Sequence, residues 1–322
     1  MKMKLYPLQF EPILKDRIWG GTKLKTYLNK PITSEITGES WEISTVENDV
    51  SIIANGIYKG QSLNEFIDSN PAAVLGTKVH SQFGNQFPLL FKFLDAREDL
   101  SIQVHPNDEL AKSRHNSFGK TEMWYVMQAD TDANLIVGFR NKSSKEAYLE
   151  SLKSNTILEI LDTFKVQKGD VFFLETGTVH AIGAGTVIAE IQQTSDITYR
   201  IYDFNRKDAQ GNERELHVDL ALDAINYDVV DSKKDYLQKE NSANNVVDCK
   251  YFTTNFIPLK GTMNFEANEA TFRVYMCVEG SFELYYNDET FEYKTGDTIL
   301  IPAQMQDFEV SGKASVLEIY IS

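Results

Sequence analysis

Apolar residues recur along this chain mainly with the period of two that marks strands, not the 3.6 of helices. Residues 89–94, 101–105, 124–128, 134–139, 171–174, 187–192 and 198–204 are short runs rich in β-branched and aromatic side chains. Gly, Asp, Asn or Pro bounds each one, so each reads as a strand. The last third repeats the pattern at 252–257, 271–278, 281–286, 298–301, 307–310 and 315–321. Many short antiparallel strands point to a mainly β protein built from sandwiches or barrels. Helical signals are few. Ser62-Leu-Asn-Glu65 has capping-box spacing and predicts a helix to about Asp68. Ser143-Ser-Lys-Glu146 predicts another over 144–153, followed by a helical stretch near 155–163. Segments 107–115 and 216–226 also read as helices.

One echo suggests duplication. Gly169-Asp170-Val171-Phe172-Phe173-Leu174-Glu175 aligns with Gly296-Asp297-Thr298-Ile299-Leu300-Ile301-Pro302. Each is a Gly-Asp turn leading into an apolar strand. Each follows a strand pair, containing Trp124-Tyr125-Val126-Met127 in one copy and Val274-Tyr275-Met276-Cys277-Val278 in the other. One β unit present twice accounts for this.

The chain has 322 residues, room for about two domains. Its 32 Lys and Arg against 47 Asp and Glu give a net charge of −15. Nucleic acids and anionic membranes demand clustered Lys and Arg, so neither is an expected partner. An anionic small ligand would have to be held by local positive charge against that mean field. Two cysteines, Cys249 and Cys277, are too few for a disulfide framework or a Cys-built zinc site. Residues 1–7 lack the apolar core of a signal peptide, and no run approaches the roughly 20 apolar residues of a membrane span. A cytoplasmic location is expected.

The chemistry concentrates on a few positions. Gln103 and His105 are i and i+2 on a predicted strand and share a face. Glu122 precedes the next strand, and His180 ends Gly169-x5-Glu175-x-Gly177-x2-His180. Two imidazoles, a carboxylate and an amide oxygen form a mixed N/O set suited to Zn²⁺, Fe²⁺ or Mn²⁺, with positions left for water or substrate. The Gly-x5…Gly-x2-His segment resembles the second motif of the cupin barrels, with Glu175 where that motif usually has Pro. The second copy keeps Pro302 but continues Ala303-Gln304-Met305-Gln306, without Gly or His, so no metal site is expected there. His80, His115 and His217 read as surface or structural residues, and Trp19 and Trp41 as core.

A narrower resemblance rests on several segments in order: Lys15-Asp-Arg-Ile-Trp-Gly-Gly21, Gly38-Glu-Ser-Trp-Glu-Ile-Ser44, Phe87-Pro-Leu-Leu-Phe-Lys92, Leu94-Asp-Ala96 and Gln103-Val-His-Pro-Asn-Asp108. Gly119-Lys-Thr-Glu-Met-Trp-Tyr125, Gly177-Thr-Val-His-Ala181, Glu190-Ile-Gln-Gln-Thr-Ser-Asp196 and Thr198-Tyr-Arg-Ile-Tyr-Asp203 continue it. Together they resemble the type I mannose-6-phosphate isomerases, of the short bacterial form, over about residues 10–225. The resemblance implies two cupin (jelly-roll-like) β-barrels. Residues 1–225 would form the catalytic domain, with a small helical insertion at about 107–163. Residues 226–322 would form a degenerate cupin domain without a metal site.

It also implies an aldose–ketose isomerase that interconverts mannose 6-phosphate and fructose 6-phosphate with one Zn²⁺ per chain. The metal falls on Gln103, His105, Glu122 and His180. Arg200, Lys120 and Asp196 match catalytic positions, and Lys120, Glu190 and Arg200 substrate-binding ones. The reaction moves a proton between C2 and C1 through a cis-enediol, so it needs a base. Lys120 qualifies if burial and neighbouring cations lower its pKa, with Glu190, Asp196 and a metal-bound water as rivals. On an unbroken strand over 196–203, Asp196 would share a face with Arg200 and orient its guanidinium. Ser101, the Lys92 and Arg97 pair, or Arg114 with His115 are weaker candidates for holding the phosphate. The expected partner is a sugar phosphate and the expected state a monomer or homodimer. Competing readings are an Fe(II) cupin dioxygenase, since two His and a carboxylate also form a facial triad, and a sugar-phosphate-sensing cupin without turnover.

Overall fold

Residues 122–129 alternate in a way that explains the architecture. Trp124 and Val126 pack with Leu94, Leu174 and Ile188 on one face, whereas Met123, Tyr125 and Met127 pack with Phe256 and Val274 on the other. A strand apolar on both faces must lie between two layers. In the computed structural model, which describes residues 4–207 and 211–322, this strand is central in a seven-stranded antiparallel sheet. The order is Ile13–Gly21, Thr37–Ile43, Leu89–Ala96, Thr186–Gln193, Glu122–Ala129, Val171–Leu174 and Lys233–Lys234. A five-stranded sheet faces it, ordered Tyr199–Tyr202, Ile102–Val104, His180–Ile182, Asn134–Phe139 and Leu161–Lys165. The helices Lys145–Lys153 and Val218–Leu222 cover the outside of that second sheet, where Tyr148 and Ala221 pack on Ile102, Val104 and Ile201.

The remaining face of the seven-stranded sheet packs against a second β unit. Its strands run Asn244–Asp248, Thr253–Phe265, Phe308–Tyr320, Arg273–Tyr286 and Glu289–Lys294, with Thr298–Ile301 also paired to Arg273–Tyr286. One apolar core therefore joins the two units. The fold is mainly β and cupin-like, as expected, but several elements differ from the predicted ones. Segments 271–278 and 281–286 form one long strand, as do 307–310 and 315–321. The stretch at 155–163 is helical only over Ile157–Ile160 and then becomes a strand. The helix expected at 144–153 is capped by Ser144, one residue later than its capping-box spacing suggests. The structure also has helices at Pro71–Leu75 and Thr77–Phe83 that the sequence pattern does not predict, the second of which carries His80.

The sequence echo is a structural repeat. Gly169 and Gly296 both have φ near +90°, which glycine adopts without strain. Asp170 Oδ2 accepts the Gln167 N–H at 3.0 Å, and Asp297 Oδ2 accepts the Lys294 N–H at 2.8 Å. The following strands pair in the same register: Leu174 opposes Glu122, and Ile301 opposes Arg273. Arg273 thus occupies in the second unit the rung that Glu122 holds in the first. The correspondence continues across the sheet. Glu190 is paired with Trp124 and Lys92, and Glu318 with Tyr275 and Asn255, each pair hydrogen-bonded to its carboxylate.

The junction between units contains a buried ion pair. Lys30 Nζ donates to Glu42 Oε2 at 2.6 Å and to the Gly296 carbonyl at 2.7 Å, while Ser40 donates to Glu42 Oε1 at 2.6 Å. Replacing Glu42 with Ala strands the ammonium in the core. Urea unfolding should therefore show a loss of about 3–5 kcal/mol, whereas a loss below about 1 kcal/mol would place the pair in the class of exposed ones.

Candidate active site

The two facing sheets enclose a cavity of about 420 Å³ whose wall includes Lys92, Ser101, Gln103, Lys120, Glu190, Asp196, Thr198 and Arg200. Strand parity puts them there. Val104 and Ile102 face the outer core and leave Gln103 and Ser101 facing inward. Register then aligns three strands, since Gln103 opposes both His180 and Arg200. Glu122 projects from the opposite sheet, on the same face of its strand as Trp124.

His105, Glu122 and His180 offer ligand atoms that all lie within 4.8 Å of one another, and all three residues are buried. His180 Nε2 is 3.4 Å from Glu122 Oε1, and His105 Nε2 is 3.6 Å from Glu122 Oε2. The Nδ1–H of His105 donates to the Ile197 carbonyl and that of His180 to the Thr178 carbonyl, both at 2.8 Å. These bonds fix the tautomer, so both Nε2 lone pairs point inward. Burial, reinforced by Lys120, holds both imidazoles neutral, with the pKa of His180 lowered to about 3. Glu122 Oε1 is buried without a hydrogen-bond partner, which is costly unless something else satisfies it. The Gln103 side-chain amide lies 3.3 Å from His180 Nε2. Turned about its last bond it presents oxygen to the same point. Two neutral imidazoles, an unpaired carboxylate oxygen and an amide therefore suit a divalent cation of the zinc class. Glu175 sits exposed in the turn before His180, where its carbonyl accepts the Thr178 N–H at 3.1 Å.

Lys120 is buried in the same cluster. Its Nζ donates to Glu122 Oε2, lies 3.1 Å from His105 Nε2, and is 4.0 Å from Glu190 Oε1. Opposing influences act on its pKa. Burial pulls the value down, but Glu122 and Glu190 outweigh it and raise it above the ordinary lysine value. Glu190 moves the other way. Burial favours its neutral form, yet Lys120, Lys92 and its hydrogen bonds hold it ionised, those bonds coming from Lys92 Nζ and Trp124 Nε1 at 3.0 Å each.

The second sheet corrects another expectation. The strand covers only Tyr199–Tyr202, with a register shift between Arg200 and Tyr202, so Asp196 lies outside it and is exposed. Asp196 does not pair with Arg200. Arg200 Nη1 donates to the Glu215 carbonyl at 2.9 Å, and its Nε is buried without a partner. Asp203 is claimed by Arg206 and Arg214. Burial and the neighbouring Arg214 cation pull the Arg200 pKa below its usual value, though a guanidinium stays charged.

Of the weaker phosphate candidates, Lys92 and Ser101 line this cavity and Arg97 lines a different one. Arg114 binds the Leu220 carbonyl and Asp223, and His115 lies 2.8 Å from the Tyr199 hydroxyl, both away from the cavity. His217 Nδ1 accepts the Arg200 N–H at 3.0 Å and so supports the strand behind the site. Trp19 and Trp41 are buried, as expected, and also line the cavity wall. Arg17, Glu39 and Arg214 also line the cavity with no role expected from sequence. Arg17 and Glu39 lie in segments read only as family markers, and Arg214 lies in a sequence stretch without periodicity.

Two family models match the chain. One, the catalytic domain of type I phosphomannose isomerase, covers residues 7–134, and the other, the mannose-6-phosphate isomerase cupin domain, covers residues 242–321. The chain is 36% identical over 320 residues to the mannose-6-phosphate isomerase ManA of Bacillus subtilis, covering 98% of this chain and 99% of that protein. It is 34% identical over 317 residues to the mannose-6-phosphate isomerase of Streptococcus mutans, covering 97% of each. Its backbone matches the crystal structure of the mannose 6-phosphate isomerase from Bacillus subtilis with a TM-score of 0.88 at 34% identity, over 97% of this chain and 99% of that one. Similarity of this extent, in sequence and in backbone path, makes the chain a member of the type I phosphomannose isomerase family.

Proposed function

We propose that this chain is a metal-dependent aldose–ketose isomerase that interconverts mannose 6-phosphate and fructose 6-phosphate through a cis-enediol(ate). The observation that carries the reading is a cavity lined by Gln103, Lys120, Glu190 and Arg200, with the buried His105, Glu122 and His180 cluster directly behind Lys120. Family membership and the names of the full-length relatives support it. Residues 1–225 form the catalytic cupin domain in this reading, and 226–322 the cupin domain without a metal site.

Gln103, His105, Glu122 and His180 would hold the cation, assigned as zinc, which would supply Lewis-acid stabilisation of negative charge on a sugar oxygen. Lys120, placed between Glu122 and Glu190 at the cavity wall, acts as a donor to the sugar oxygens at C1 and C2. Asp196 is the wall's carboxylate with no ion pair or hydrogen bond to its side chain among the described residues. It takes the proton from C2 and returns it to C1, as a base on one face of a planar enediol can. Glu190, fixed by Lys92 and Trp124, accepts from a sugar hydroxyl. Arg200 presents its unpartnered Nε to an anionic oxygen of the substrate, and the neighbouring Arg214 adds charge for the phosphate. The −15 of the whole chain does not oppose this locally, since distant charges are screened beyond about 8–10 Å.

Purified protein should carry about one zinc per chain and isomerise mannose 6-phosphate. Chelation should abolish turnover and added metal restore it, and full activity after chelation would refute the metal assignment. His180→Ala should lose the metal, measured by elemental analysis, so an unchanged content would remove His180 from the ligand set. Arg200→Ala should keep its metal while turnover falls by about 10²–10³-fold. Near-normal turnover in that variant would take Arg200 out of the reaction.

A further inference from the structure

None of the residues lining the catalytic cavity lies beyond Arg214, yet the second unit reaches the site at Asp108, through the Tyr251 hydroxyl and, at 3.7 Å, the exposed Lys250 ammonium. Asp108 opens the helix Asp108–His115, three residues after His105. Its Oδ1 accepts the Gly119 N–H and the Gln193 Nε2–H, both at 3.0 Å, and its Oδ2 accepts the Tyr251 hydroxyl at 2.6 Å. Gln193 Oε1 in turn accepts the Thr121 N–H at 2.9 Å. The amides on both sides of Lys120 are therefore tied to Asp108, one directly and one through Gln193. The approach is close: a Cβ on Gly119 would lie 2.7 Å from the Asp108 nitrogen. Tyr251 belongs to the turn between Asn244–Asp248 and Thr253–Phe265 of the second unit.

We propose that Asp108 and Tyr251 form a positioning brace through which the second unit fixes the Gly119–Thr121 backbone, and with it the placement of the Lys120 ammonium against the substrate. Neither residue lines the catalytic cavity, so both are positioning residues. The physical basis is that hydrogen bonds to an ionised carboxylate are roughly twice as strong as neutral ones. A displacement near 1 Å at a reacting group can cost about 10²-fold in rate. Gln193 also ends the strand that carries Glu190, so one carboxylate sets both neighbours of the proposed chemistry. The inference rests on the isomerase reading above.

The test combines kinetics with a readout independent of turnover. Tyr251→Phe should lower kcat about 10-fold, and Asp108→Ala about 10²-fold, with KM and metal content unchanged. The double variant should match Asp108→Ala within about 2-fold, because Tyr251 acts only through Asp108. In metal-free protein, hydrogen exchange at the Gly119 and Thr121 amides should accelerate in both single variants, while amides of Phe308–Tyr320 keep wild-type protection. If Asp108→Ala does not fold, Tyr251→Phe decides the question. Wild-type kcat with unchanged exchange in Tyr251→Phe would overturn the brace, as would a raised KM at constant kcat. Absence of isomerisation by the wild-type protein would instead refute the isomerase reading, and the exchange result would then settle the brace alone.

Discussion

A fully buried carboxylate, Glu122, is the constraint around which the first unit is organised. An ionised group that leaves water without compensation costs several kcal/mol, so its surroundings must supply partners. Lys120 covers one oxygen, and the other faces His180 without a hydrogen bond. Lys120 is itself buried and needs more than one anion, which brings Glu190 into the cluster. Glu190 then requires Lys92 and Trp124. These requirements tie together the strands of Glu122, Glu190 and Lys92, so three strands are held in register by polar satisfaction as much as by apolar packing. The strong opposing pulls on the Lys120 and Glu190 protonation states are the electrostatic signature of that network.

The second unit shows what becomes of the same framework when that residue changes. Its central rung holds Arg273 in place of the carboxylate. Glu318 keeps the role of Glu190 and accepts from Tyr275 and Asn255. The Arg273 guanidinium instead lies 3.5 Å from Glu318 Oε1, so the network there closes on an ion pair. Its contribution to the first unit is mechanical. It covers the outer face of the seven-stranded sheet, anchors Lys30 through the Gly296 carbonyl, and sends Tyr251 to Asp108.

Charge is distributed unevenly over the molecule. The cavity wall holds six Lys or Arg side chains and four Asp or Glu, against a chain with net charge −15. Several of the six are already committed: Lys15 to Asp49, Arg17 to Glu39 and Lys92 to Glu190. Burial, and then the neighbouring Arg214 cation, depress the Arg200 pKa. Arg214 is held by Asp203 while the Arg200 Nε has no partner, so positive charge gathers at this wall of an otherwise acidic chain.

Period-two alternation alone determined that the chain is mainly β, and the Gly-Asp echo marked its duplication. Both are local properties written in consecutive residues. Parity on a strand likewise placed Gln103 and His105 on one face, and in-order motifs marked the family. Tertiary structure decided what depends on neighbours distant in sequence. Asp196 is off the strand face because pairing with Ile102–Val104 begins only at Tyr199, so the partner strand and not the alternation of 196–203 sets where the strand starts. The direction of the Lys120 pKa shift was decided by Glu122 and Glu190 together. Glu122 is two residues away, but Glu190 arrives from a strand paired to its own only in the folded chain. Arg214 and the reach of Tyr251 to Asp108 lay beyond sequence for the same reason. A hydrogen bond across 143 residues leaves no periodic trace in either segment, and only the packing of one unit on the other creates it.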